Sequence, residues 1–299
     1  MHSRRHASKS HARKLNTTRH VPRRIFILGN PDKPEVVGVF NDLVDFAASR
    51  CHLVGAELSL DGKIALEAGA GKIIVLGGDG TLLGVSRSLR GHQVPLIGVN
   101  LGKLGFLAEF TVAELKEHFD RAVGDETLVD QRMLLNVTVR RVGTVRFESL
   151  SVNDCVVQTG PPFRMITLGV AIDGIRLTEV SGDGLIVCTP SGSTGHNLSA
   201  GGPIVQAGVK AIVLTPLCPH SLTHRPVLVE RRSEIEIAAL RVYSASMVIV
   251  DGQVSYELAE GDTITIRRFS SNFQTVRNPQ HPVWHNLVTK MGWGVLPEA

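Results

Sequence analysis

Cysteine is scarce in this chain, and none of it is arranged in pairs. Cys51, Cys155, Cys188 and Cys218 are scattered over 299 residues without a C-x-x-C motif, which gives no sign of a disulfide framework and fits a reducing, cytoplasmic setting. Long apolar runs are absent too. None approaches the ~20 residues that a membrane-spanning helix requires, which implies a soluble protein with no membrane partner. Acid is missing from the first 24 residues, MHSRRHASKSHARKLNTTRHVPRR, which hold eight Lys and Arg and four His. A basic leader of this kind raises a transit peptide or a nucleic-acid-binding arm. Its only sizeable apolar residues are Leu15 and Val21, too few for an amphipathic targeting helix. The composition predicts a solvated, disordered tail over 1–21 and no nucleic-acid partner. Removing the eight cations from the total of 32 leaves 24 against 28 Asp and Glu. The net +4 therefore belongs to the tail, and the folded body is mildly acidic.

The chain is 43% apolar and 20% charged, as in globular proteins, and is long enough for one large or two ordinary domains. Over 22–127, strand-like pieces (RIFILGN, HLVGAEL, IIVL, VPLIGVN) alternate with helix-like ones. The helical spacing is clearest at Val36, Val39, Phe40, Leu43, Val44 and Ala47, in TLLGVSRSLRG and in TVAELKEHFDRAV. Thr111 with Glu114 three residues on is a capping box. This alternation predicts an α/β domain with a parallel sheet. Over 128–272 short β-type stretches are split by Gly, Pro or Asp turns, which predicts a β-rich, mostly antiparallel domain. The final segment, 273–299, allows a helix in PVWHNLVTKMGW. It is expected to pack back on the α/β domain, with Trp284 and Trp293 as buried anchors.

The common phosphate-binding fingerprints are missing as well. In GVNLGKL the Gly-Lys pair comes one residue early for a P-loop, and Leu104 replaces the required Ser or Thr. In GGDGTLLG, Gly84 falls one residue late for G-x-G-x-x-G. The chemistry has to be read from the residues themselves. Asp79 follows a buried-type strand and stands among Gly77, Gly78 and Gly80, where open parallel sheets bind their ligands. There a carboxylate can take the proton of a hydroxyl attacking a phosphoryl group, or hold Mg²⁺, while glycine N–H groups contact phosphate. The plainer alternative is that Asp79 caps a helix starting near Thr81. A second stretch, SGDGLIVCTPSGSTGHNLSAGGPI at 181–204, gathers glycines and hydroxyl residues with Asp183, His196 and Asn197 around one short strand. So many small residues cost chain entropy, and backbone approaching a flat or phosphorylated ligand accounts for them better than turns alone. Cys218, His220 and His224 carry donor atoms, but without a second cluster or an H-E-x-x-H pattern they do not suggest a metal site.

Seven segments in order carry a resemblance: NPDKP (30–34), GGDGTLL (77–83), GVNLGKLGFLAE (98–109), VNDCVV (152–157), DGLIVCTPSGSTGHNLSAGGPIV (183–205), TPLCPHSLTHRP (215–226) and VDGQ (250–253). Together they resemble the ATP-NAD kinase family, which phosphorylates the adenosine ribose 2′-hydroxyl of NAD to make NADP. GGDG is shared with lipid kinases and phosphofructokinases; the long glycine and serine block is the specific part. The resemblance implies an α/β domain with a β-rich partner and a dinucleotide held in the cleft between them. It also implies a divalent metal such as Mg²⁺ carried with ATP or polyphosphate, with no fixed protein metal site, and a homodimer or homotetramer whose neighbouring subunit completes the site. Asp79 is then the base on the 2′-hydroxyl. Gly78, Gly80, Thr81 and Phe106 lie on the substrate side, Asn153 and Asp154 contact the dinucleotide, and Asp183 meets its nicotinamide end. Thr194, Gly195, His196 and Ser199 match the segment that reads the adenosine part. Two places depart from the common pattern: Asp154 stands where Glu is usual, and Gly195-His196 where Ala-Tyr is usual. The competing readings are a lipid or sugar kinase sharing GGDG, and a non-catalytic NAD(H)-binding sensor. Against the first stands the 183–205 block; against the second, an intact GGDG with its acid.

Overall fold

The computed structural model describes residues 24–102, 105–282 and 284–292; the basic tail and Trp293 lie outside the described residues. Strands β1 (Arg24–Gly29), β2 (His52–Glu57), β3 (Lys72–Leu76) and β4 (Leu96–Val99) alternate with helices α1 (Pro34–Ala48), α2 (Gly62–Glu67) and α3 (Asp79–Leu89). Two short helices, α4 (Val112–Glu117) and α5 (Phe119–Gly124), follow. The strands run parallel in the order β2-β1-β3-β4. β3 and β4 are buried along their whole length, as strands covered on both faces are. On one face pack Val36, Phe40 and Leu43 of α1 with Leu115 and Phe119; on the other pack Leu82, Val85 and Leu89 of α3. The capping box forms: Glu114 N–H donates to Thr111 Oγ1 at 3.2 Å, and Thr111 N–H to Glu114 Oε2 at 2.7 Å. The single helix expected there breaks at His118 (φ −106°), and Phe119 just beyond it meets Phe46 edge-on at 5.3 Å.

Beyond residue 128 the chain is almost all strand: β5 (Val129–Arg141), β6 (Thr144–Ser151), β7 (Asp154–Gln158), β8 (Ile166–Ile172), β9 (Ile175–Gly182) and β10 (Gly184–Cys188). After the one-turn α6 (His196–Ser199) come β11 (Ala211–Leu217), β12 (Val227–Glu230), β13 (Ile235–Arg241), β14 (Met247–Val250), β15 (Val254–Glu257) and β16 (Thr263–Val276), and then α7 (His285–Met291). Six of these form an antiparallel sheet, β12-β11-β10-β7-β14-β15. The rest extend the parallel sheet. β16 lies beside β4, with Thr275 opposite Leu96, and pairs antiparallel with β5 and β13, so ten strands form one sheet through both halves of the molecule. The strand-like stretch DTITIRRF is only the first part of β16. Its pairing with β5 shifts between Arg268 and Asn272, where Ser270, Ser271 and Asn272 are residue types of turns. The largest core lies between the two sheets: Val137, Leu168, Ile237 and Ile264 meet Val157, Val187, Leu214 and Val248. Trp284 is not a buried anchor; it is 52% exposed at the mouth of a cleft described below. No described helix is long and apolar enough to cross a membrane.

Candidate active site

Asp79 is the first residue of α3, and the N-cap is Gly78, with no side-chain cap hydrogen bond. The capping reading of Asp79 is thus replaced by another contact. Its carboxylate crosses to the segment after β4, where Phe106 N–H donates to Oδ2 at 2.7 Å and the N–H groups of Leu107 and Ala108 donate to Oδ1 at 3.0 Å each. A Cβ on Gly105 would fall 1.8 Å from Oδ1, so only glycine lets that segment close on the acid. A carboxylate offers about four lone-pair sites. Three are taken, and among the described residues no donor takes the remaining one, on Oδ2, where a substrate hydroxyl could bind. Thr81 is 5% exposed and its Oγ1 accepts from Asn30 Nδ2 at 3.4 Å. Its hydroxyl therefore faces protein and braces the turn. Gly78 is half-buried, and a Cβ on it would meet Lys33 Nζ at 3.8 Å.

The helix that carries Asp79 is tied to the β-rich half through the VDGQ turn between β14 and β15. Gln253 Nε2 donates to Gly80 O at 2.7 Å, and Arg87 donates to Gln253 Oε1. Asp251 adopts φ +52°, a conformation that Asp tolerates better than most residues. Its carboxylate accepts from Ser151 Oγ at 2.8 Å and from the N–H groups of Val152, Asn153 and Asp154 at 3.1, 2.8 and 3.1 Å, with Arg87 Nη1 at 3.7 Å. Asn153 and Asp154 are thus held by the same turn that touches Gly80. Asp154 is buried, and burial first, then the Asp251 charge, push its pKa up from 3.8 to about 7.

The glycine-dense block follows on from Asn153. Thr189 N–H donates to Asn153 O at 2.8 Å, and Thr189 Oγ1 to Val152 O at 2.6 Å. A Cβ on Gly192 would come within 2.2 Å of Asn153 O. Buried Asn197 knots the loop: its Nδ2 donates to Ser193 O at 3.1 Å and Pro203 O at 3.0 Å, and Thr215 Oγ1 donates to its Oδ1 at 2.6 Å. Most of these small residues therefore allow the chain to pack on itself, which corrects the expectation that their density chiefly reports approach to a ligand. The outward face is left to Gly195, His196 and Ser199, all exposed, and half-buried Thr194. Asp183 is not brought to the others. It precedes β10, whose far end leads to Thr189, so about 17 Å of strand separates them. Exposed Asp183 instead hydrogen-bonds the Cys218 thiol and pushes its pKa up.

Beside the Asp79 tether lies a cleft of about 410 Å³ whose lining includes two of the predicted site residues, Phe106 and Thr194, with Arg132, Arg277, Trp284 and Leu287; Asp79, Asn153, Asp154 and His196 are not in its lining. Its wall contains a buried ion pair, Arg132 Nη2 to Glu109 Oε1 at 3.4 Å. Glu109 also accepts from Asn278 N–H at 3.0 Å, and burial is the main cause of its raised pKa. The cleft joins all three layers: the loop after β4, the block after β10, and the segment leading into α7.

Residues 57–127 match the ATP-NAD kinase N-terminal domain, and residues 152–278 the ATP-NAD kinase C-terminal domain. The NAD kinase of Syntrophotalea carbinolica is 37% identical over 286 residues, covering 91% of this chain and 99% of that protein. The chain belongs to the ATP-NAD kinase family. The Geobacter metallireducens NAD kinase is 40% identical over 221 residues, 74% of this chain and 78% of its own length. Among solved structures, an Archaeoglobus fulgidus NAD kinase in complex with ATP aligns with TM-score 0.73 and 26% identity over 90% of this chain and 98% of that one. Yeast NADH kinase complexed with NADH shares the fold at TM-score 0.76 and 24% identity over 94% of this chain and 90% of its own.

Within this family member, sequence reasoning leaves Arg87, Asp251, Gln253, Glu109 and Arg132 without roles. VDGQ and GFLAE stand among the quoted motifs, yet nothing local indicates that the first clasps Gly80 or that the second lines the cleft. Among the described residues no three His, Cys, Asp or Glu side chains group as a metal site. The donor set at the turn is one carboxylate already accepting three N–H groups. It fits a divalent cation only as an addition to ligands that the phosphates themselves provide.

Proposed function

We propose that this chain is an NAD kinase, transferring a phosphoryl group from ATP to the adenosine ribose 2′-hydroxyl of NAD to give NADP. The observation that carries the mechanism is the tether of Asp79: three backbone N–H groups orient its carboxylate and leave one acceptor site, so a single hydroxyl can be aligned and deprotonated there. Phosphoryl transfer depends mainly on positioning and electrostatics, which suits a site built from one acid and many backbone amides. Phe106 and Thr194 on the cleft walls bound the dinucleotide, Gly195, His196 and Ser199 meet its adenosine part, and Asn153 and Asp154 approach it from the VDGQ turn. The shorter Asp154 and the imidazole of His196 change affinity before they change chemistry.

A divalent cation, Mg²⁺ or similar, would be held mainly by the donor phosphates and would offset their charge; polyphosphate is the alternative donor. Asp183, about 17 Å along β10 from Thr189, suits the far, nicotinamide end of an extended dinucleotide, and the assembly in this reading is a homodimer or homotetramer. Four free cysteines support a reducing, cytoplasmic location. The test is NADP formation from NAD and Mg²⁺ with ATP or polyphosphate as parallel donors. Product in either reaction establishes the activity and names a donor. No product in both, with NAD binding intact by calorimetry, overturns it in favour of a non-catalytic NAD-binding protein.

A further inference from the structure

We infer that Lys290, on the C-terminal helix α7, is a further catalytic residue, its ammonium binding the non-bridging oxygens of the phosphoryl group in transfer. The inference rests on the NAD kinase reading. Lys290 Nζ lies over the Phe106 ring, 4.7 Å from its centroid, and Phe106 is the residue whose N–H donates to Asp79 Oδ2 at 2.7 Å. The ammonium is thus stationed on the immediate support of the base. Lys290 is half-buried, and among the described residues it forms no ion pair. Burial lowers its pKa, while the charge of Asp79 works in the opposite direction.

The helix is oriented for the task. Trp284, just before α7, and Leu287 line the cleft together with Phe106, and Lys290 follows three residues after Leu287, on the same side of the helix. A second lysine, Lys33, has its Nζ 3.8 Å from where a Cβ on Gly78 would stand, beside the turn that carries Asp79. Asp79 alone would repel a phosphate chain, and a lysine is a compact, strongly hydrated point charge suited to offset that repulsion. In the step itself the ribose 2′-oxygen attacks the γ-phosphorus and its proton passes to Asp79. The new O–P bond forms as the bond from the γ-phosphorus to the β–γ bridging oxygen breaks, and that electron pair leaves with ADP. Lys290 keeps its proton throughout and neutralises charge on the equatorial oxygens.

The experiment compares Lys290→Met and Lys290→Arg with wild type in three measurements: steady-state kinetics against NAD and donor separately, thermal midpoint, and calorimetric binding of inorganic tripolyphosphate. The expected result for Lys290→Met is a kcat lower by about 100-fold or more, with KM for NAD within about threefold, an unchanged midpoint and weaker tripolyphosphate binding. Lys290→Arg should recover at least about tenfold of the lost rate, since charge is retained. A kcat for Lys290→Met within about threefold of wild type overturns the inference. So does an equal loss in both variants with a lowered midpoint, which would mark Lys290 as a packing contact on Phe106. If wild type makes no NADP from either donor, the NAD kinase reading fails separately. Tripolyphosphate then decides for Lys290, and unchanged affinity in Lys290→Met overturns the phosphate role.

Discussion

The molecule has two glycine-rich segments, and they use glycine for opposite purposes. Around Asp79, glycine lets backbone close on a charged side chain: Gly105 lies where any Cβ would strike Asp79 Oδ1 at 1.8 Å. In the 181–204 block, Gly182, Gly184 and Gly192 let backbone close on backbone. Gly192 faces Asn153 O, Gly184 faces Val157 O and Gly182 faces Leu217 O, with hypothetical Cβ distances of 2.2, 2.0 and 2.7 Å. The first arrangement aims a functional group; the second builds the platform on which exposed Gly195, His196 and Ser199 stand. Both are rich in glycine. Only the identity of the neighbour distinguishes chemistry from architecture.

The sharpest test of that contrast is Asp79→Asn. An amide cannot take the hydroxyl proton, and its NH₂ would face N–H donors from 106–108, so turnover should fall by about 10³-fold. NAD affinity, measured by calorimetry, should change little. Near-normal turnover would remove Asp79 from the role of base. Next, Gly105→Ala and Gly192→Ala introduce the same methyl group into the two settings. Gly105→Ala should displace the tether and cost roughly 10- to 100-fold in kcat with a small change in thermal midpoint. Gly192→Ala should cost about 1–3 kcal/mol of stability, read as a lower midpoint, with kcat largely kept in the folded fraction. The reverse pattern would erase the distinction between the segments.

A smaller effect is expected at the joint between them. Gln253→Leu removes the donor to Gly80 O and the acceptor for Arg87, leaving partly exposed groups unpaired, so kcat/KM should fall roughly tenfold or less, in line with about 0.5–1.5 kcal/mol for a lost hydrogen bond. If the turn couples the halves, Gln253→Leu and Asp79→Asn will be non-additive for kcat. Full additivity would mean that VDGQ supports Asn153 and Asp154 alone.

These particulars show why some of the site was legible in the sequence and some was not. A buried β-branched strand ending in Gly-Gly-Asp-Gly announces an acid at a sheet's carboxyl edge, because strand, turn and acid are contiguous and each follows from residue type. The tether of Asp79 joins residues 27 to 29 positions apart, and no local pattern encodes that pairing. Likewise α7 is legible from its spacing, but the direction of Trp284 into the cleft depends on what the rest of the fold leaves open. The continuation of the parallel strands into the β-rich half, where β16 lies beside β4, is hidden by turn-type residues inside a strand. Glycine density misled for the reason above: entropy cost is the same whether the close neighbour is a ligand or the chain itself.

A last comparison separates the two carboxylates rather than the two loops. Asp79 is surrounded by N–H donors, whereas Asp154 is buried next to the like charge of Asp251, so its carboxyl stays protonated up to about pH 7 in the folded chain against an ordinary value of 3.8. Between those values the folded chain binds more protons than the unfolded one, so this group's contribution to stability is full below 3.8 and is lost as pH rises through about 7. Asp154→Asn, neutral at every pH, should therefore flatten the decline in thermal midpoint across that window, and its midpoint should exceed that of wild type at the upper end. Parallel profiles for the two proteins would show that the Asp154 carboxylate is already ionised beside Asp251, and that Arg87 neutralises the pair more fully than its 3.7 Å contact with Asp251 indicates.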